Sequence, residues 1–357
     1  MKKLFIHLSE EVSPIVNDSY ECSVGFLKQH AQKTDHLSLL GQVICLYEDW
    51  VAVGINHQEY TELLQLAKEG AKLIAKHGIQ SFNTSSSSSY YGLDDALISF
   101  DKEGAGLTLL NQIKMKPLLL DFELLSYRQR LLRGGRQKEP VARAVMNGLE
   151  DGALVFDATA GLGRESMILA HAGAKVVSFE RQLPIWIILN DALKRAQGSR
   201  FFPFTLPVLS PIGTIKDYSL ALAGTDNHSL TLANDLNNAR PEVIYYDPMF
   251  PERENSAQVK KDMFVFQQVI GEDKDIIEFL ELALELAVKR VVLKRPSYAP
   301  PLAIAGLERS YFVDGGQCRF DCYVHYQVKA SPRQDCACLA WPGLALQAWA
   351  LAHGFWP

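Results

Sequence analysis

The sequence predicts an α/β protein built on a doubly wound, mostly parallel sheet, preceded by a small α+β subdomain. Two observations carry this. From Asp151 onward, short apolar runs alternate with helix-period segments, and glycine turns separate them. Between Ala96 and Phe122 the apolar runs are short and follow one another without such helices, as in "ALISF", "LTLL" and "PLLLDF".

Composition excludes several classes. With 357 residues, 48% hydrophobic and 22% charged, the chain has enough apolar material for a full core and is neither fibrous nor disordered. The opening "MKKLFIHLSEE" is too short in apolar residues for a secretory signal, and no later run spans a bilayer, so a cytoplasmic location is expected. Six cysteines at 22, 45, 318, 322, 336 and 338 show no paired CxxC spacing, which argues against a zinc site and a disulfide framework. A net charge of −5 argues against indiscriminate nucleic-acid binding while allowing a local basic face.

In chain order, residues 1–59 read as an N-terminal extension without an assigned role, carrying possible strands at "GQVICLYE" and "WVAVGI". An accessory subdomain is expected over 60–125. It begins with the amphipathic helix "YTELLQLAKEGAKLIAKHG", and the serine-rich connector "NTSSSSSYYG" follows. The main domain is expected over 126–330. Its strands are "ALVFD", "KVVSFE", "EVIYYD" and "RVVLKRP", and its helices are "MILAHAGA", "LPIWIILNDALKRA" and "DIIEFLELALELAVK". An atypical tail, 331–357, holds three of the five tryptophans.

In such sheets ligands sit beyond the carboxyl ends of the strands. The first loop there is "FDATAGLGRES", where Gly161 and Gly163 permit a tight turn and the next helix aims free N–H groups at the same place. Glu180 ends the following strand, roughly 20 residues on, where an acid can accept hydrogen bonds from ribose hydroxyls. Position 166 is Ser where a nicotinamide loop favours a third glycine, and no phosphate-binding GxxxxGK lysine occurs. S-adenosylmethionine (SAM), with a ribose and an amino acid but no phosphate, fits better.

The second loop is "YDPMFP". A base amino group is a poor nucleophile because its lone pair is delocalised into the ring, so an enzyme that alkylates it must hold the N–H bonds and aim the nitrogen. Asp247 and the carbonyl of Pro248 offer two acceptors, and Phe250 offers a face for the base. The stretch is a variant of the Asp/Asn-Pro-Pro-aromatic motif of amino-group methyltransferases, with Met249 in place of the second proline.

"DATAGLGRE", "FER", "YDPMFP" with "SAQVKKDM", "VVLKRPSYAPPLA" and the closing "RFDCY" together resemble the RsmJ-type family of small-subunit ribosomal RNA guanine-N2 methyltransferases. The similarity runs from about residue 60 to 328 and includes "LLLDFELLSYRQRLLRGGRQKEPVARAV". It implies a class I (Rossmann-like) methyltransferase that uses SAM to methylate N2 of a guanosine in 16S ribosomal RNA, guanosine 1516 in that family. The implied partner is that RNA or the small ribosomal subunit, with no membrane and no metal. The implied cofactor residues are Asp157, Gly161, Gly163, Arg164, Glu165, Glu180, Arg181, Asp247 and a polar pair placed at His228-Ser229. The implied catalytic residues are Asp247, Pro248 and Phe250. The chain departs from the family at His228-Ser229, where two small hydroxyl residues are common, and at "RLLRGGR", where the glycine run is longer.

A third element is basic. Arg128, Arg130, Arg133, Arg136, Lys138 and Arg143 stand against Glu139 alone within "YRQRLLRGGRQKEPVAR". RNA contact is expected from this stretch (Arg128, Arg130, Arg133, Arg136 and Lys138 above all) and from Lys260, Lys261, Lys294 and Arg295 near the catalytic edge. The rival readings are a methyltransferase acting on another RNA or DNA base, a nicotinamide-dependent dehydrogenase, and a non-catalytic RNA-binding protein of the same fold.

Overall fold

The computed structural model describes residues 2–29, 42–47, 50–77, 95–211, 213–224, 234–249, 261–270, 275–303 and 307–324. Thirteen strands among them form two sheets.

The first sheet contains β1 (Lys2–Leu8), β2 (Gln42–Tyr47), β3 (Trp50–Ile55), β4 (Ala96–Asp101), β5 (Gly104–Leu109) and β6 (Leu118–Leu119) in the order β2-β3-β1-β4-β5-β6. β1 lies at its centre, parallel to β3 and β4. Alternation along β1 sends Phe5 to one face, where helix α2 (His57–His77) covers it with Leu63 and Ala67. Leu4 and Ile6 face the other way and share a core with Val16 and Val24 of α1 (Pro14–Gln29). The expected boundary at 59/60 therefore needs correction, since β1 to β3 are half of the sheet that β4 to β6 complete. "KKLFIHL" carries the alternation of a strand only weakly, because both of its faces are buried.

The second sheet contains β7 (Leu154–Asp157), β8 (Lys175–Ser178), β9 (Val208–Leu209), β10 (Val243–Tyr246), β11 (Arg290–Pro296), β12 (Tyr311–Asp314) and β13 (Cys318–Val324). Its order is β12-β13-β11-β10-β7-β8-β9. β9, β8, β7, β10 and β11 run parallel, and β13 is inserted antiparallel to both β11 and β12. Helices α4 (Pro140–Met146), α5 (Arg164–His171) and α6 (Leu183–Ala196) contribute to the core on one face, with Val155 and Val292. Helices α7 (Ile215–Leu222) and α9 (Ile276–Leu286) cover the other face, with Phe156 and Val291. Helix α3 (Leu125–Arg133) precedes the sheet, and α8 (Lys261–Ile270) lies between β10 and α9. The doubly wound expectation is met. The "RLLRGGR" stretch, expected as a basic run, is largely the helix α3. No helix of the described residues is long and apolar enough to cross a membrane.

The two sheets are joined through α6. Asp191 is fully buried and its Oδ2 accepts from the Ala105 backbone N–H at 2.9 Å and from Arg195 Nε at 2.8 Å. Arg195 also donates to the Leu120 carbonyl. Gly104, at φ 131°, brings the β4–β5 turn against this pair, where a Cβ would stand 2.6 Å from Arg195 Nε. Truncation strands the buried Ala105 N–H and leaves the partly buried Arg195 guanidinium with its Leu120 contact, so Asp191→Ala is expected to lower stability by about 1–3 kcal/mol, the cost of an unsatisfied buried group. Urea denaturation of the variant and parent measures this.

Candidate functional site

A cleft opens beyond the carboxyl ends of β7, β8 and β10 and is lined by Thr159, Gly161, Glu180, Arg181, Gln182, Thr214, Tyr246, Asp247, Met249 and Phe279, among others. Its position follows from parallel pairing, which brings the ends of these strands to one edge. Tyr246 and Phe279 stack at 4.2 Å between ring centroids and form an aromatic part of the wall.

The glycine loop is held from beneath by Asp157. This carboxylate is fully buried and accepts from the Ser166 hydroxyl and the Thr159 N–H. Ser178 donates in turn to Ser166 Oγ at 2.9 Å. Burial pushes the Asp157 carboxyl up to about 7, although both hydrogen bonds oppose the shift. Asp157 was expected to contact the cofactor. The structure instead places it under the loop and outside the cleft lining, because Ser166 and Thr159 take its oxygens. Ser166, noted in the sequence only as a missing glycine, is thus the hydroxyl that anchors α5. Gly161 and Gly163 have φ of 53° and 70°. Gly161 lines the cleft, whereas Gly163 is a packing glycine: a Cβ there would meet Leu189 at 2.6 Å and Phe122 at 3.0 Å.

Glu180 sits just past β8 and is 4% exposed. Its Oε2 accepts from Gly161 N–H at 2.9 Å and its Oε1 from Gln182 N–H at 2.7 Å. Burial raises its pKa to about 7 against the pull of these two donors. One carboxylate therefore sets the glycine loop and the start of α6. With about four acceptor sites on an ionised carboxylate, it can still receive ribose hydroxyls. Arg181 also lines the cleft, and its guanidinium pairs with Asp275 at 3.0 Å. Gln182 is a cleft residue missed by sequence reasoning, and its Oε1 receives Trp50 Nε1 of the first sheet at 3.5 Å. This lining suits a ligand with a ribose and a positive centre: two carboxylates face the cleft, and its one arginine is paired. SAM fits that description.

Asp247 follows β10. Its N–H donates to Thr159 Oγ1 at 2.7 Å, tying the second loop to the first. Its Oδ2 accepts from Lys294 Nζ at 2.6 Å. Lys294 also lies 3.8 Å from Glu165 Oε1, in the first turn of α5. Burial works against the Lys294 ammonium, but Asp247 and Glu165 outweigh it and hold its pKa above the ordinary lysine value. Glu165 and Arg164 do not line the cleft. Glu165 faces Lys294, and the Arg164 carbonyl receives the Tyr127 hydroxyl at 2.9 Å. Pro248 is buried and Met249 lines the cleft. Phe250, His228, Ser229 and Lys260 lie outside the described residues. Lys261 opens α8.

Among the described residues, most of the basic side chains expected at RNA have partners within the chain. Arg128 stacks on Phe201 at 3.7 Å, and Arg130 pairs with Glu139 through two hydrogen bonds of 3.2 and 3.0 Å. Arg136 donates to the carbonyls of Met146 and Leu149 after α4 and pairs with Asp151. Arg143 donates to the Asp314 carbonyl at 3.1 Å. Arg295 is 7% exposed, and its neighbour Lys294 is hydrogen-bonded to Asp247. Arg133 and Lys138 are exposed. Charge runs are legible in sequence, but the carbonyls that consume the charges are brought by the fold.

Two outcomes follow. Asp157 and Glu180 both titrate near 7 in the folded chain but near 3.8 and 4.5 as ordinary carboxyls. The folded state therefore holds protons that the unfolded chain has released, and this contribution to stability is lost as pH rises from about 4 through about 7. Urea midpoints of the ligand-free protein are expected to fall over that window, with a shallower fall in Asp157→Asn. Cofactor affinity is expected to move the opposite way, because an ionised Glu180 offers more acceptor sites to ribose hydroxyls than a neutral one. SAM titrations are expected to weaken below about pH 7, and Glu180→Ala to weaken binding by about 1.5–3 kcal/mol at pH 8.

The family model SAM_MT, of SAM-dependent methyltransferases, matches residues 92–325, more than half of the chain. Ribosomal RNA small subunit methyltransferase J from Pseudoalteromonas translucida is 37% identical over 234 residues, covering 65% of this chain and 86% of that protein. The protein of the same name from Dechloromonas aromatica is 37% identical over 240 residues, covering 67% and 91%. The crystal structure of the SAM-dependent methyltransferase NGO1261 from Neisseria gonorrhoeae aligns with a TM-score of 0.54 at 20% identity, covering 93% of this chain and all of that one. The fold with its first sheet is thus shared with a solved methyltransferase. With the glycine loop, Glu180 and Asp247 at one cleft, this chain belongs to the ribosomal RNA small subunit methyltransferase J family of SAM-dependent methyltransferases.

Proposed function

We propose that this protein transfers the methyl group of SAM to the exocyclic N2 of a guanosine in 16S ribosomal RNA. The observation that carries this reading is the hydrogen bond from Asp247 N–H to Thr159 Oγ1 at 2.7 Å. It sets the acceptor loop directly against the cofactor loop. Bound SAM supplies a methyl group already activated on sulfur, so the protein's task is binding and alignment. Glu180 receives the ribose hydroxyls, and Gly161 allows the backbone to approach. Asp247 and the Pro248 carbonyl accept the N–H bonds of the guanine amino group. Phe250 stacks on the base, and Arg133 and Lys138 contact phosphates. The relatives' name, ribosomal RNA small subunit methyltransferase J, supports this substrate, and the acidic lining supports a cationic methyl donor.

Asp247→Asn tests the reading. In single-turnover transfer to unmodified 16S RNA or small subunits, with saturating cofactor, it is expected to slow transfer far more than it weakens RNA binding. Mass mapping of the methylated nucleotide names the base. A parental rate in Asp247→Asn, or a methyl group on a different class of RNA, refutes the assignment. For the phosphate contacts, Arg133→Ala with Lys138→Ala is expected to flatten the salt dependence of RNA binding by about 0.7–0.9 in slope per lost contact. Arg136→Ala is expected instead to lower stability by about 1–3 kcal/mol, because it removes a donor from the Leu149 carbonyl and one of two donors from the Met146 carbonyl, which keeps the Leu149 N–H.

A further inference from the structure

Three elements bring one cation and two anions together beside the acceptor loop. β10 pairs in parallel with β11 so that Tyr246 stands opposite Leu293. The next residue on each strand is Asp247 and Lys294, which are therefore level with each other at the catalytic edge. Lys294 Nζ is 2.6 Å from Asp247 Oδ2 and 3.8 Å from Glu165 Oε1, and its side chain is 26% exposed. Alternation turns the adjacent Arg295 to the opposite face. The other titratable groups around the pair are Asp157 at the end of β7, Tyr245 on β10 and Cys318 on β13. On α3, Tyr127 and Arg130 also face Glu165; Lys294 is the cation that hydrogen-bonds to Asp247.

We propose that Lys294 is a positioning residue for methyl transfer: its ammonium, braced against Glu165, fixes the Asp247 carboxylate toward the acceptor amino group. The inference rests on the functional reading above and adds a residue to it. During transfer the amino nitrogen forms a bond to the methyl carbon as the carbon–sulfur bond breaks and its electrons remain on sulfur. The nitrogen then gives up one proton to solvent. A carboxylate that swings freely would offer its oxygens in many directions. One hydrogen-bonded to a partly buried ammonium is restricted in geometry, and the charged hydrogen bond makes that geometry costly to leave. The cation also disfavours protonation of Asp247, which would convert the acceptor into a donor and set it against the N–H bonds. Among Glu165, Asp247 and Lys294 the anions outnumber the cation by one, so the ion pair adds no excess positive charge against a cationic methyl donor.

The test compares Lys294→Met and Lys294→Arg in the full chain. In single-turnover transfer at saturating SAM and RNA, the Met variant is expected to lose about tenfold or more in rate, with RNA affinity within about twofold of the parent. The midpoint of its acidic pH–rate limb is expected to move up by about one unit. The Arg variant restores the parental midpoint and part of the rate. Loss of RNA affinity with an unchanged saturating rate would return Lys294 to a phosphate contact and overturn the proposal, as would parental rate and pH profile in the Met variant. A substrate-free reading separates this from the function itself. The carboxyl carbon of Asp247 is titrated by NMR in ligand-free protein and assigned through Asp247→Asn. An upward shift of its midpoint in Lys294→Met is expected, and an unchanged midpoint overturns the proposal. If the parent transfers no methyl group to 16S RNA, the substrate assignment fails, and this titration still decides the role of Lys294.

Discussion

Carboxylates at one edge of a parallel sheet need donors, and the search for those donors shapes the functional end of this molecule. Asp157, Glu180 and Asp247 follow from three strands that end at the same level, and the first two are withdrawn from water. Each is satisfied by a neighbour that defines a loop. Ser166 and Thr159 N–H serve Asp157, Gly161 and Gln182 N–H serve Glu180, and Lys294 serves Asp247. An unsatisfied carboxylate at such depth would cost several kcal/mol, so these loop conformations are tied to the stability of the sheet. The cleft is the space left between loops fixed in this way.

The first sheet takes part in the same arrangement. α6 begins beside Gln182 at the cleft and passes across the first sheet, where Asp191 and Arg195 lock onto the β4–β5 turn and Leu120. Asn190 donates to Ser23 of α1, and Lys194 pairs with Asp18. One helix thus carries the cofactor wall at its start and the joint between sheets along its length. The indole of Trp50, only 3% exposed, reaches Gln182 and brings the first sheet to the cleft itself.

Charge is distributed by the same logic. Arg319 and Arg309 converge on buried Asp321 with separations of 2.8 and 2.6 Å, which stiffens the β11–β13 side of the sheet. Arg136 closes the end of α4, and Arg130 is clamped by Glu139. Cations that look alike in the chain are divided between holding the fold and facing solvent, and the division follows from which carbonyl or carboxylate the packing brings within reach.

The alternation from Asp151 onward determined the doubly wound sheet, the positions of α6 and β11 and the level of the loops, because period and turn residues are local properties. The motifs "DATAGLGRE" and "YDPMFP" determined that Gly161, Glu180 and Asp247 belong to one site, since strand-end residues of a parallel sheet meet by construction. Only the tertiary structure decided what each polar group faces. Asp157 supports the glycine loop because Ser166 lies nine residues on and closes back onto it through the α5 turn. Lys294 is a partner of Asp247 because the register of β10 against β11 sets them level. The place of "KKLFIHL" at the centre of a sheet was likewise hidden, since parallel partners come from 50–55 and 96–100 and no local pattern records them. Periodicity speaks of the faces a segment presents; long-range pairing chooses the neighbour on each face.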